Sequence, residues 1–292
     1  MHARAVAAST TALLGTAALL FPVSPARAAA DGGGPPRVIA HRGASAYAPE
    51  NTLAAVDKAA ELGIRWVEND VQRTRDGELV VLHDDNLRRT TDAEEVFPDR
   101  APWKVRDFTA AEIARLDAGS WFDPAYTGAR VPTLEQFVHR VERHHQKLLL
   151  EIKNPELYPG IERQTLKVLS NEGWLDRPHL GRLIVQSFSA DSVRMVHGLK
   201  PGVKTGLLGT PPVADLPGLA RFTDQINPSH ATLSLAYVSS VQAFRGPHGR
   251  PLEVFAWTVD DAATAQRVAG YGVDGIITNR PDVVRRAVGR GR

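Results

Sequence analysis

From Pro36 to the C-terminus, short β-branched runs alternate with longer stretches of helical period, eight times over. The strand candidates are Arg37–Ala40, Ile64–Val71, Lys147–Ile152, Leu183–Gln186, Val203–Leu208, Gln225–Asn227, Leu252–Trp257 and Gly275–Thr278. The helix candidates are Thr52–Leu62, Thr133–His144, Gly160–Glu172, Ala190–Gly198, Leu216–Phe222, Leu235–Phe244, Asp261–Ala269 and Pro281–Val288. Eight such units in about 250 residues predict an α/β fold, the (β/α)8 or TIM barrel. A doubly wound sheet shares the local pattern and is the competing arrangement.

One segment breaks the alternation. Asp76-Gly77 is a strong hairpin signal, so Leu79–Leu82 is expected to fold back on the second strand. Residues 86–132 then form a small insertion after that strand, with a short helix near Ala110–Leu116 and the aromatic pair Trp121-Phe122. In a barrel it would lie over the C-terminal strand ends, where active sites are built. No repeat or second linker appears, so 37–292 reads as one barrel domain.

The first 28 residues read as a signal peptide. Arg4 gives a positive start, Ala12–Leu20 a short apolar core, and Ala26-Arg27-Ala28 a small-x-small cleavage site. The apolar run is shorter than the roughly 20 residues that span a bilayer, and no later run is longer. The expectation is a secreted protein (periplasmic if the source has an outer membrane) with no transmembrane segment. Residues 29–36, ending in Asp31-Gly32-Gly33-Gly34-Pro35-Pro36, are a flexible lead-in. Removing the leader takes Arg4 and Arg27 and no acid, leaving 33 basic residues against 33 acidic. That balance argues against a nucleic-acid-binding protein. Cysteine is absent, which excludes disulfides, thiolate metal sites and a cysteine nucleophile.

The polar residues that suggest chemistry sit at strand ends: His41-Arg42, Glu68 and Asp70, His83-Asp84, Glu151 and Lys153. Alternate strand residues share a face, so Glu68 projects with Asp70, and Glu151 with Lys153. Converging strand ends would bring three carboxylates together, where mutual repulsion resists their ionisation. One divalent cation resolves the conflict, and all-oxygen ligation favours Ca²⁺ or Mg²⁺, with Ca²⁺ preferred for an exported protein. His41 and His83 offer an acid–base pair near neutral pH. Arg42 can hold two phosphate oxygens as a planar fork, and Lys153 adds a point charge. These are the parts of phosphoryl transfer.

With these residues the chain resembles the glycerophosphodiester phosphodiesterase family. The family's His-Arg, Glu-x-Asp and His-Asp motifs appear as His41-Arg42, Glu68-Asn69-Asp70 and His83-Asp84. Pro49-Glu50-Asn51-Thr52, Val131-Pro132-Thr133-Leu134-Glu135, Glu151-Ile152-Lys153, Trp257-Thr258-Val259 and Gly272–Asp282 match further segments, so the likeness covers about residues 37–284. It implies a TIM barrel rather than a doubly wound sheet, and a secreted bacterial type of the enzyme. It implies metal ligation by Glu68, Asp70 and Glu151, acid–base catalysis by His41 and His83, and phosphate binding by Arg42 and Lys153. The implied reaction is metal-dependent hydrolysis of a small glycerophosphodiester to sn-glycerol 3-phosphate and an alcohol, with no obligate protein partner.

Other residues carry two readings each. Lys153 can simply pair with Glu151. Asp84 is expected to orient His83 or nearby backbone. Asn51 reads as a helix N-cap at least as well as a substrate contact, and Glu50 as a partner for Arg42. Trp257 can wall the substrate pocket or fill core. Trp121 and Phe122 can line a groove or pack the insertion. Asn279 before Pro281 reads as a helix cap without function. His139, His144 and His145 are expected to be solvated. Three further functions compete: phospholipase D-like hydrolysis of lysophospholipids or sphingomyelin, a glycosidase built on Glu68 and Glu151, and a non-catalytic binder on the same fold.

Overall fold

The computed structural model describes Met1–His2 and residues 34–289. By its contacts the chain divides into a unit Met1–Gly32 and a unit Gly33–Arg292, which holds every strand and helix described. The expected leader, apart from its first two residues, and the lead-in up to residue 33 lie outside the described residues. Among the described residues no helix is long and apolar enough to cross a membrane.

Nine strands form: β1 (Arg37–Ala40), β2 (Trp66–Arg73), β3 (Leu79–Val81), β4 (Lys147–Ile152), β5 (Leu183–Ser187), β6 (Lys204–Leu208), β7 (Gln225–Asn227), β8 (Glu253–Ala256) and β9 (Gly275–Thr278). Eight of them pair in parallel in the order β1-β9-β8-β7-β6-β5-β4-β2. The ring closes where β1 pairs β2, Ile39 opposite Trp66 and Ala40 opposite Val67. This closure gives a (β/α)8 barrel and excludes an open doubly wound sheet. β3 stands outside the ring, antiparallel to the end of β2 with Arg73 opposite Leu79, as the Asp76-Gly77 turn predicts.

The outer layer is α1 (Leu53–Glu61), α2 (Leu134–Arg143), α3 (Ile161–Asn171), α4 (Ala190–Leu199), α5 (Leu216–Leu219), α6 (Leu235–Gln242), α7 (Ala262–Gly270) and α8 (Pro281–Gly289). Helix α2 illustrates why they form. Thr133 and Gln136 close a capping box, and Leu134, Phe137, Val138 and Val141 recur at helical spacing on the buried face. The helix expected over 216–222 is a single turn, because Pro217 restricts it to a first turn and Gly218 follows within it.

Strand alternation divides the core into two shells. Val67 and Val71 on β2, Leu148, Leu150 and Ile152 on β4, and Val185 on β5 face the helices. Ile39, Trp66, Leu149, Ile184, Phe255 and Ile277 fill the barrel interior. The inward positions one and two steps further along β2 and β4 are Glu68, Asp70 and Glu151. The barrel is thus apolar across its middle and charged at its C-terminal mouth.

Residues between β3 and α2 pack a separate small core of Leu82, Leu87, Val105, Phe108, Ile113 and Leu116. The Asp117 carboxylate accepts backbone N–H groups from Gly119, Ser120 and Gly128 and ties off its far loop. Tyr126 donates its hydroxyl to the Tyr47 carbonyl at 2.8 Å, fastening this segment to the β1–α1 loop.

Candidate active site

His41, Arg42, Glu68, His83, Glu151, Lys153, Gln186, Phe188, Leu208, Trp257, Thr258 and Ile277 line one cavity of about 90 Å³ at the C-terminal mouth. They come from β1, β2, β4, β5, β6, β8 and β9 or the residues just after them, and from the turn after β3, so only a closed barrel brings them together.

The turn after β1 is the most constrained piece. Arg42 and Gly43 both have positive φ, 56° and 80°. A Cβ on Gly43 would lie 2.5 Å from Ala55 Cβ, so the tight approach to α1 requires glycine. In this turn the Arg42 backbone N–H donates to Glu68 Oε2 at 2.9 Å. The guanidinium donates to Glu50 Oε1 at 2.9 Å and lies 3.3 Å from Asp70 Oδ2. Glu50 is therefore the partner expected for Arg42. Asn51 departs from expectation: it is not the cap of α1. It sits at φ 59° and donates its amide to Asp70 Oδ2 at 2.9 Å. Thr52 caps the helix instead, accepting from Ala55 N–H.

Glu68, Asp70 and Glu151 are buried and present oxygens within 4.8 Å of one another. Asp70 and Glu151 are paired across adjacent strands. Burial, then the charges of Asp70 and Glu151, push the Glu68 carboxyl well up. Burial and Asp70 likewise raise Glu151, to about 7, against the pull of Lys153. Asp70 goes the other way: burial would raise it, but Arg42, His83, Lys153 and the Asn51 amide outweigh that and hold it down. Asp70 Oδ1 has no hydrogen-bond partner among the described residues. Lys153 lies 2.8 Å from Glu151 Oε1 and 4.0 Å from Asp70 Oδ1, so it pairs with the acids while facing the cavity.

The two histidines are fixed in the same tautomer by different partners. His83 Nδ1 is 2.7 Å from Asp84 Oδ1, and a carboxylate can only accept, so Nδ1 carries the proton. Its Nε2 faces Lys153 Nζ at 3.3 Å. The hydrogen bond from His83, and then Arg89, hold Asp84 well below the usual carboxylate range. His41 Nδ1 is 2.7 Å from Asn279 Oδ1. The Asn279 amide nitrogen donates to Asp260 Oδ2 at 2.8 Å, which leaves the carbonyl for His41. Burial, then Arg42, lower the His41 pKa to about 4, against the charge of Asp70 and the Asn279 bond. At neutral pH its ring is neutral, with Nε2 free.

Sequence reading missed three residues here. Asn279 orients His41 rather than serving as an idle cap, and Asp260 orients Asn279. Arg89, in the segment after β3, bridges Asp84 and Glu50 with both carboxylates gripped, at 2.7–3.0 Å. It therefore links the partner of His83 to the partner of Arg42. Trp257 follows β8 and walls the cavity, with Phe188 edge-on at 5.7 Å. Trp121 and Phe122 lie outside it: Trp121 meets Phe122 edge-on, and Phe122 meets Tyr126 edge-on. Two histidines expected in solvent are paired: His139 with Glu172 and His144 with Asp57.

A closed barrel that gathers acidic ligands, two tautomer-fixed imidazoles and two cations at its C-terminal mouth defines a class, the barrel phosphodiester hydrolases. The chain belongs to the glycerophosphoryl diester phosphodiesterase family, whose model matches residues 41–283. It is 34% identical over 287 residues to a glycerophosphodiester phosphodiesterase of Bacillus subtilis, covering 92% of this chain and 93% of that one. It is 36% identical over 263 residues to one from Caldanaerobacter subterraneus, with 87% and 98% covered. Its fold matches a solved Oleispira antarctica phosphodiesterase in complex with the product sn-glycerol-3-phosphate, with TM-score 0.74, 30% identity and 87% and 97% covered. The chain is accordingly an enzyme, a phosphoric diester hydrolase, and its substrate is a small molecule.

Proposed function

We propose that this chain is an exported, divalent-cation-dependent enzyme that hydrolyses glycerophosphodiesters to sn-glycerol 3-phosphate and an alcohol. One observation carries the reading: His41, Arg42, Glu68, His83, Glu151 and Lys153 share one small cavity.

The acidic cluster fits a hard cation. Its oxygens lie within 4.8 Å of one another, it offers no nitrogen or sulfur ligand, and buried Asp70 Oδ1 lacks a hydrogen-bond donor. Glu68, Asp70 and Glu151 would hold the ion, with Ca²⁺ favoured over Mg²⁺, and it would supply positive charge against the phosphoryl oxygens. Arg42 and Lys153 bind and orient the remaining oxygens. His41 Nε2, unprotonated at neutral pH, accepts the proton of the attacking water. His83 acts in its imidazolium form: it keeps Nδ1–H on the Asp84 carboxylate and gives its Nε2 proton to the leaving alkoxide. The P–O bond to water forms as the P–O bond to the alcohol breaks, and the proton taken up by His41 returns through solvent to His83, which restores both rings.

The test is release of glycerol 3-phosphate from glycerophosphocholine by chelated protein, then with Ca²⁺ or Mg²⁺ added, with His41→Ala as blank. Release that survives chelation, or persists in the variant, sinks the reading. A substrate with a nitrophenolate leaving group needs no proton donor, so it should rescue His83→Ala and not His41→Ala. A second reading, phospholipase D-like action on lysophospholipids, is favoured by Phe188, 54% exposed beside Trp257 at the mouth. Choline release from lysophosphatidylcholine without release from glycerophosphocholine would select it. Export rests on the sequence of residues 1–28, and an extracellular chain beginning at Ala29 is its expected signature.

A further inference from the structure

The barrel has a second cavity at its opposite pole, among the N-terminal strand ends. Its volume is about 370 Å³. Its apolar wall is Pro35, Pro36, Val38, Ile64, Trp66 and Val288. Its charged groups are Arg37, Arg65, Lys147 and Arg285, with no acid lining it.

Among the described residues only Arg37 of these four cations pairs with an acid. Arg37 donates to Glu253 at 2.5 Å, and Lys204 approaches the same carboxylate at 3.7 Å. Among the described residues, Arg65, Lys147 and Arg285 have no carboxylate partner. Arg285 donates to the Gly63 carbonyl, and Lys147 Nζ stands 5.4 Å from the centre of the Trp66 ring. Burial, then Arg65, Arg37, Arg182 and Lys204, push the Lys147 ammonium below its ordinary pKa.

We infer that this basal cavity is a binding site, separate from the active site, for a small single-chain amphiphilic anion. The anionic group would lie among Arg65, Lys147 and Arg285, and the alkyl part along Val38, Ile64, Trp66 and Val288. Both halves are needed. Exposed cations alone hold a small anion weakly in water, whereas every methylene buried against the apolar wall adds to the affinity. Charge selects the sign of the ligand, and the apolar wall supplies the affinity.

The test uses the full chain with Ca²⁺ present and three probes: octyl sulfate, inorganic sulfate and octyltrimethylammonium. A sulfate monoester is chosen because it is no substrate for diester hydrolysis. Calorimetry should show one saturable site for octyl sulfate below its micelle concentration. Inorganic sulfate should bind at least tenfold more weakly, and the cation should not bind. Arg65→Glu and Lys147→Gln should each weaken octyl sulfate at least tenfold while leaving glycerophosphocholine turnover unchanged. Unchanged turnover and melting temperature show that the variants fold. The inference is overturned by no saturable binding, by binding indifferent to both substitutions, or by binding abolished by saturating glycerol 3-phosphate, which would place the anion in the active site. Sedimentation with anionic vesicles, without uptake of soluble octyl sulfate, would also overturn it, in favour of a membrane contact.

Discussion

A carbonyl oxygen on Asn279 decides which nitrogen of His41 carries its proton. Removing it by Asn279→Leu should lower kcat about 10- to 100-fold, the usual cost of losing a group that orients a reacting imidazole. Asn279→Asp keeps an acceptor at that position and should restore most of the rate, which a merely structural role would not predict. His41 itself should leave a signature in stability. Its folded pKa of about 4 lies below the unfolded value of 6.5. Between these pH values the unfolded chain binds the proton and the native ring does not, so stability falls as pH drops from 6.5 to 4 and levels off below. The ring keeps an edge on the cavity, which sets the loss at about 1–3 kcal/mol. Urea unfolding of chelated protein at pH 7 and pH 4.5 should show it, and His41→Gln should remove that part of the difference. The motif residues were legible because each lies in a strand or just after one, where period-two geometry fixes its direction. Asn279 follows β9 as directly as His41 follows β1, but it was not legible, since its partner is 238 positions away and no local pattern joins the two.

At the scale of elements, the segment after β3 does more than cover the barrel. Arg89 grips Asp84 and Glu50 together, so it holds His83 and Arg42 in fixed relation through their own partners. Arg89→Ala should cut kcat/KM about 10- to 100-fold. The melting temperature should fall by no more than about 2 °C, since Arg89 is 44% exposed and exposed ion pairs stabilise little. A collapse of the fold, or full activity, would remove Arg89 from this role. Strand and helix order was readable because hydrophobic period survives in a single sequence. Caps and short turns were less so: Asn51 and Thr52 are both good N-cap residues, and only the Asp70 carboxylate opposite Asn51 decides between them. The turn at α5 shows the same limit, where Pro217-Gly218 outweighs the apolar pattern around it.

Across the whole molecule, the eightfold alternation was enough to anticipate a closed ring, because eight strands fill their own interior with side chains. What closure adds is a gradient. The interior runs from the apolar layer of Ile39, Leu149 and Phe255 to three buried acids at the C-terminal mouth. Those acids oppose folding through burial and mutual repulsion, which raise Glu68 and Glu151. A cation that binds the folded chain alone therefore stabilises it by mass action. At a hundredfold excess over Kd the gain is about 2.7 kcal/mol. With roughly 2–4 °C per kcal/mol for a domain of this size, melting should rise by about 5–10 °C. Scanning calorimetry of chelated protein with increasing Ca²⁺ should show a rise that saturates and reverses with EDTA. Glu151→Gln removes one ligand charge and should abolish most of the rise, while the same chelated variant should melt no lower than the chelated parent because one repulsion is gone. A parent protein indifferent to Ca²⁺ and Mg²⁺, or a variant that keeps the full rise, would show that the three acids do not hold the ion.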